Sequence, residues 1–427
     1  MGTDFIPVCS VLLGGNEKKY VGDCLEGSWI SSSGSYIAAF ERAFAEWCGA
    51  GQGIAVCNGT AALHVALLAL GIGPGDEVII PDFTMAASAF AVCHAGATPV
   101  FADADPRTWN LNPEKAAARI TPRTKAIMPV HIFGNPCDMG ALRRLAADAG
   151  VFLLEDAAEA HGALFEGKRA GTMSDIAAFS FFANKNVTTG EGGMVLTDSA
   201  DLAARCRYFR NMCFPPDAPR DYMHADIGFN YRMSNIHAAI GLAQTEKADD
   251  YRAMRIRNGL LYRELLSAVP GVALQHIQPG GESVFWMNGI CVQPEIYGRT
   301  RAELVAHLMS QGVDTRIFFQ GMHRQAALRK YGCDCSGEYP VSDLLADNGF
   351  YLPSGSGLGA DEIRRICSLI ADFACKGRGR ASPGAARGGL RGVKPPDGFK
   401  GRGRASPGAA RKDLRGTEPP DGSSGGL

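Results

Sequence analysis

Between about residue 50 and residue 200, short apolar runs alternate with helical stretches, and this alternation restricts the fold more than any other feature of the chain. The runs are GIAVC (53–57), EVIIP (77–81), TPVFAD (98–103), AIMPV (126–130), VFLLED (151–156) and AAFSFF (177–182). TAALHVALLAL (60–70) and TMAASAFAVCHAG (84–96) read as helices among them. A short run that is apolar throughout has no face to offer water, so each strand belongs in a sheet covered on both sides. Such sheets are mostly parallel, because helical crossovers supply the cover. The expected fold class is therefore α/β, with a large, mostly parallel sheet. Ligands of such sheets sit beyond the carboxyl ends of the strands. Asn58–Thr60, Asp156 and Lys185 all fall at or just after strand ends, so one cleft can gather them.

From Asn235 to about Leu266 a long helical pattern, NIHAAIGLAQTEKADDYRAMRIRNGLLYRELL, leads toward a smaller second domain. Its expected elements are a strand SVFWMNGICV (283–292), a helix from Thr300, a strand near Asp314–Phe319 and a closing helix ADEIRRICSLIADFA (360–374). Thr300 with Glu303 three residues on fits a capping box, in which two side chains satisfy two free backbone N–H groups. The division expected is a large domain over 1–250, a small C-terminal α/β domain over 251–376 and a tail over 377–427. In the tail GRGRASPGAAR occurs at 377–387 and again at 401–411, each copy followed by PPDG. Gly and Pro make up 20 of its 51 residues. With few large apolar side chains to bury against the entropy of ordering, it is expected to be disordered.

Charge and cysteine content narrow the function classes. The net charge is −1, which argues against whole-protein affinity for nucleic acid or membrane. The tail alone is basic, with 11 Lys/Arg against 4 Asp/Glu. It lacks the set of interleaved aromatics that a nucleic-acid reader would use, so a solvated low-complexity tail is the simpler reading. No stretch reaches the ~18 apolar residues of a membrane span and no leader pattern opens the chain; it reads as cytoplasmic. The 13 cysteines are odd in number and irregularly spaced. Cys333 and Cys335 lack the second pair that a zinc site needs, while Cys57, Cys93, Cys291 and Cys367 lie in apolar runs and read as reduced core residues. No metal is expected.

The chemistry centres on Lys185, in FSFFANKNVTTGEGGM, twenty-nine residues after Asp156 in VFLLEDAAEAHGA. An apolar run ending in an acid, then a second ending in a Ser…Lys loop, is the arrangement that holds pyridoxal phosphate (PLP). The lysine amine condenses with the cofactor aldehyde, and the aspartate keeps the pyridine nitrogen protonated so that the ring accepts electrons. The phosphate needs a helix N-terminus; Asn58, Gly59, Thr60 and Ala61 supply one, with Thr60 as the expected N-cap. Ser180, five residues before Lys185, adds a hydroxyl. Gly192 and Gly193 read either as a flexible turn or as positions where backbone approaches the ring closely.

Taken in order, NGTAAL, PDFT, EDAAEAHGA, FSFFANKNVTTGEGGM and GFNYRMSNIHAAIGLAQ closely resemble the sugar aminotransferases of the DegT/DnrJ/EryC1/StrS family, which have the aspartate-aminotransferase-like fold (PLP fold type I). The resemblance covers roughly residues 5–375. GGNEKKYVGDCLEGSWISSSG, VFWMNGI and YLPSG look most like the perosamine synthase branch, which aminates GDP-4-keto-6-deoxy-mannose; relatives acting on UDP- and dTDP-sugars share most of the motifs. The resemblance implies Lys185 as the Schiff-base residue and Asp156 as partner of the pyridine nitrogen. It also implies that Gly59, Thr60, Ala61 and Ser180 lie about the phosphate and that Asn230 reaches the phosphate of a neighbouring subunit. That last role implies a homodimer with shared active sites. The implied substrates are an amino-acid donor, glutamate, and a nucleotide-4-ketosugar, with His323 near the sugar pocket. Two cofactor positions depart from the common pattern: Met85 replaces a ring-stacking aromatic, and Glu159, expected near the phenolic oxygen, replaces a glutamine. Downstream, Gln320 and Gly321 replace Tyr-Pro, and Ala326 or Ala327 a proline. Dehydratases of the same family carry histidine where this chain has Lys185, which argues against that activity.

Overall fold

Each apolar run of the first half becomes a strand, and all but one strand of the resulting sheet lie parallel. The computed structural model describes residues 5–215 and 222–378. The sheet comprises β1 (Gln52–Val56), β2 (Glu77–Pro81), β3 (Thr98–Ala102), β4 (Thr124–Ile127), β5 (Phe152–Asp156), β6 (Ile176–Ser180) and β7 (Gly193–Thr197), in the order β1-β7-β6-β5-β4-β2-β3. Burial is nearly continuous along β2 and β7, as expected for strands with both faces covered. β7 alone runs antiparallel to its neighbours β1 and β6. An antiparallel return needs no crossover, so residues 181–192 stay at the carboxyl edge of the sheet. Lys185 is in that connection, on the side where Val56, Asp156 and Ser180 end their strands.

A second sheet, β8 (Val272–Leu274), β9 (Asn288–Val292), β10 (Arg316–Ile317) and β11 (Gly349–Leu352), is antiparallel in the order β8-β9-β11-β10. Ile290, Val292, Phe350 and Leu352 from it share one buried cluster with Leu304 and Leu308 of the helix Arg301–Ser310 and Ile363, Ile366 and Ile370 of the helix Ala360–Arg378. The capping box forms: the Glu303 N–H reaches the Thr300 hydroxyl at 3.3 Å, and the Thr300 N–H donates to the Glu303 carboxylate at 2.8 Å. None of the described helices is long and apolar enough to cross a membrane.

Four local expectations need correction. The pattern over 235–266 is two helices, Asn235–Thr245 and Ala248–Leu266. The Thr245 hydroxyl takes the Gly241 carbonyl at 2.7 Å, and the Glu246 carboxylate is held by Asn16 and Tyr20 at 2.7 Å each. Both tie down the end of the first helix, while Asp249 and Asp250 favour a fresh N-terminus. The strand expected over 283–292 begins only at Asn288, because Phe285 takes a positive φ of 48°. The closing helix runs on to Arg378, into the stretch assigned to the tail; the rest of that tail lies outside the described residues. Cys291 and Cys367 are buried as expected, but Cys57 and Cys93 are only half-buried. The helices Glu17–Glu26 and Ser35–Cys48 were not anticipated. The second packs so closely on Asn235–Thr245 that a Cβ on Gly241 would stand 2.6 Å from the Phe40 ring.

Candidate active site

The carboxyl edge of the main sheet opens into a cleft of about 550 Å³. Gly59, Thr60, Ala61, Met85, Asp156, Glu159, Ser180 and Lys185, all named from sequence, line it together. One wall is the N-terminus of the helix Gly59–Ala69. Its cap is Asn58, not Thr60: Asn58 is extended, and its side chain accepts the Ala61 N–H at 2.8 Å. The helix starts one residue earlier than expected because Asn58 is a strong cap whose extended backbone continues β1. The backbone is packed tightly here. A Cβ on Gly59 would lie 2.7 Å from the Ser180 Cβ, and one on Gly193 would lie 2.4 Å from the Asn58 carbonyl oxygen. Free N–H groups, a hydroxyl and glycine-only approach make an anion cradle of the kind a phosphate fits.

Opposite lie the ionisable groups. Asp156 ends β5 nearly buried; Ser88 donates to one carboxylate oxygen at 2.8 Å and the Ala158 N–H to the other at 3.2 Å. Burial pushes its pKa up, against these hydrogen bonds and the Lys185 charge. Glu159 is held by the Phe133 N–H at 2.7 Å, and Phe133 adopts a positive φ of 58° in a fully buried position. Burial raises Glu159 to about 7, opposed chiefly by the Lys185 charge. Lys185 is pushed below the ordinary lysine value by burial, while Glu159 and Asp156 pull it back. Its Nζ stands 3.6 Å from the centre of the Trp286 ring, a cation–π distance. His161, five residues past Asp156, is lowered to about 3 by burial. It is neutral, and its Nδ1 accepts the Val187 N–H at 3.2 Å, steadying the far side of the Lys185 loop.

Two expected residues lie elsewhere. Asn230 is exposed, bridged to Asn211, and does not line the cleft. His323 does not line it either. Asp82 accepts its backbone N–H and approaches its Nδ1, both at 2.8 Å; Asp343 stands 3.2 Å from Nε2, and Tyr339 stacks on the ring. Both ring nitrogens of His323 thus face carboxylates. The same packing accounts for Gly321: a Cβ there would come within 2.5 Å of Asp82 Oδ2. Met85 remains about half exposed at the cleft wall, as does Phe182.

The sequence reading missed Ser88, Trp286, Asn184, Phe319, Tyr351 and Arg255. Ser88 was detectable in principle, being one helical turn after Thr84 on the same face. The others come from 70 or more residues away or sit beside Lys185 without a local signature. Among the described residues no cluster of His, Cys, Asp and Glu suits a metal.

Residues 12–371 match the model of the DegT/DnrJ/EryC1/StrS aminotransferase family. The chain is 44% identical over 366 residues to the GDP-perosamine synthase of Caulobacter vibrioides, covering 86% of this chain and 97% of that protein. It is 42% identical over 373 residues to the GDP-perosamine synthase of Escherichia coli O157:H7, covering 86% and 98%. Among solved structures it matches DesI in the presence of its TDP-sugar product with a TM-score of 0.80, at 34% identity over 89% of this chain and 95% of that one. It matches 3-amino-5-hydroxybenzoic acid synthase at 0.81, with 33% identity over 88% and 100%.

Proposed function

The chain belongs to the DegT/DnrJ/EryC1/StrS aminotransferase family, and from that premise we propose that it moves an amino group from L-glutamate to GDP-4-keto-6-deoxy-mannose, giving GDP-perosamine. The observation that carries the reading is the joint lining of one cleft by Lys185, Asp156 and the N-terminus of the helix Gly59–Ala69. These residues fit pyridoxal phosphate. The cradle of Gly59, Thr60, Ala61 and Ser180 suits its phosphate, the Asp156 carboxylate suits its ring nitrogen, and the Lys185 amine suits its aldehyde. When bound, the cofactor supplies an electron sink that makes the donor's α-hydrogen acidic.

The chain's own residues do the rest. With that group bound, Lys185 would take the proton from the donor's α-carbon and, in the second half-reaction, return one to the sugar carbon. One group serves as base and acid because burial lowers its pKa toward the working range. Asp156 is kept in line by the Ser88 hydroxyl, which in turn contacts the Thr84 hydroxyl at 3.1 Å. Glu159, able to hold a proton near neutral pH, can face the phenolic oxygen as a donor rather than as a repelling charge. Met85 offers a thioether where an aromatic would stack. The similarity to GDP-perosamine synthases supports the nucleotide and the sugar. Asn230, exposed on the surface, is free to serve a second subunit.

Incubation with glutamate and a panel of GDP-, UDP- and dTDP-linked 4-ketosugars tests this, with products read by mass. A GDP-linked 4-amino-4,6-dideoxy sugar is expected. Turnover confined to UDP- or dTDP-sugars would refute the substrate, and no amino sugar from any of them would refute the activity.

A further inference from the structure

Arg255, on the helix Ala248–Leu266, is a buried cation with no carboxylate partner among the described residues. Its guanidinium is satisfied by neutral groups. Nη1 donates to the carbonyls of Trp286, at 2.8 Å, and Ser354; Nε donates to the Ser356 hydroxyl at 2.9 Å; Nη2 reaches the Asn184 carbonyl at 3.3 Å and the Cys9 sulfur at 3.8 Å. The Asn184 carbonyl also accepts from the Trp286 indole N–H at 2.9 Å. Arg255, the Trp286 indole and, at 3.8 Å, the Cys9 thiol thus all donate to the peptide joined to Lys185, and Trp286 presents its ring face to the Lys185 amine. A guanidinium can make such a multi-carbonyl grip because its five N–H groups are fixed in a plane and it keeps its charge when buried.

That charge matters for the amine. The ionisable groups around Lys185 are Asp156 at the end of β5, Glu159 and His161 in the segment that follows it, Glu191 and Tyr351 on the cleft wall, and Arg255 behind the loop. His131 acts on both acids. A buried carboxylate at Asp156, joined by Glu159 once it has lost its proton, favours the lysine as an ammonium, which is neither nucleophile nor base. Burial opposes them, and so does the like charge of Arg255.

We infer that Arg255 is a positioning residue for Lys185: it clamps the Asn184 carbonyl and the Trp286 backbone, and its uncompensated charge offsets the two carboxylates so that the amine stays free to react. This rests on reading Lys185 as the reactive amine.

The test uses the full chain freed of cofactor. It is pulsed with an amine-acylating reagent at a series of pH values, and the Lys185 peptide is quantified by mass. Arg255→Met is expected to move the midpoint of Lys185 labelling upward by about one pH unit, so that labelling below the midpoint slows roughly tenfold. Arg255→Lys keeps the charge but loses the fork; it should melt earlier while its midpoint stays near wild type. A purely structural role would lower the melting temperature in both and move neither midpoint. Should Arg255→Met not fold, Cys9→Asp supplies the missing counter-charge while leaving the guanidinium in place, and is expected to raise the midpoint. An unmoved midpoint in folded Arg255→Met, or in Cys9→Asp, overturns the inference. Borohydride reduction of the cofactor-loaded protein separates the two readings. An adduct on another lysine sinks the assignment of Lys185 itself, whereas an adduct on Lys185 with an unmoved midpoint sinks only the role of Arg255.

Discussion

Glu159 holds the least ordinary protonation equilibrium in the cleft, and its sign can be worked out. Burial lifts it from 4.5 to about 7, so between those values the native state binds a proton that the unfolded chain has released. Its contribution to stability is therefore whole below about pH 4.5 and is lost as pH rises through 7, the reverse of a salt-bridged carboxylate. Glu159→Gln keeps an acceptor for the Phe133 N–H and removes the titration. The variant should gain on wild type by on the order of 2–3 kcal/mol between pH 5 and pH 8. Melting curves of the two proteins across that range check this, and curves that stay parallel would contradict it. Asp156→Asn belongs at the same scale. An amide still accepts from Ser88, so the fold should survive, but it cannot keep a ring nitrogen protonated. Loss of several orders of magnitude in kcat with some cofactor retained is expected; near-normal single-turnover rates would remove Asp156 from its assigned role.

At the scale of elements, the start of the helix Gly59–Ala69 and that of Arg301–Ser310 offer a contrast. Gly59→Ala drives a methyl to 2.7 Å from the Ser180 Cβ. Backbone must move to relieve the overlap, and the displaced N–H groups are those of the anion cradle. Affinity for pyridoxal phosphate, followed by its absorbance on titration, should fall at least tenfold, with a smaller loss for the amino-acid donor. Thr300→Ala breaks the capping box far from the cleft and should cost about 1 kcal/mol of stability with kcat unchanged. Equal effects of the two substitutions on cofactor affinity would show that the first acts by general destabilisation. Capping chemistry at Thr300 was readable from four residues, because both partners lie in one turn. The break after Thr245 was not, because Glu246 is held by Asn16 and Tyr20, more than 220 residues away along the chain.

At the scale of the whole molecule, the question is what lies outside the cleft. Asn230 is exposed in the protomer, and the proposed shared site makes it act in trans. Mixing Lys185→Ala subunits with Asn230→Ala subunits should then raise activity above either parent, through heterodimers that carry one intact site. Subunit exchange, verified by mass, without such a gain would place Asn230 in its own protomer's site or in none. None of the residues assigned to the site falls within 379–427, and cutting after Arg378 leaves the helix Ala360–Arg378 whole. Unchanged kcat and melting temperature are expected; a fall of several degrees would show that the tail docks.

The sheet, its mostly parallel sense and the placing of Lys185 at its carboxyl edge were legible in the sequence. Continuous apolar runs, strand-end acids and a capped helix start are local signals, each complete within a few residues. The helix start that makes the anion cradle was legible for the same reason, since Asn58 to Ala61 form one turn, although its cap is Asn58 and not Thr60. Only the tertiary structure decided which distant groups surround that lysine. Trp286 reaches Asn184 across 102 residues and Arg255 across 71, and nothing in the periodicity of VFWMNGICV marks the positive φ at Phe285, the residue before Trp286. His323 makes the same point in reverse. Its neighbourhood in sequence pointed to the sugar pocket, but Asp82 and Asp343, brought up from other elements, hold its ring outside the cleft. Side-chain burial and charge are sums over neighbours in space, and the chain order does not contain that sum until the fold brings the neighbours together.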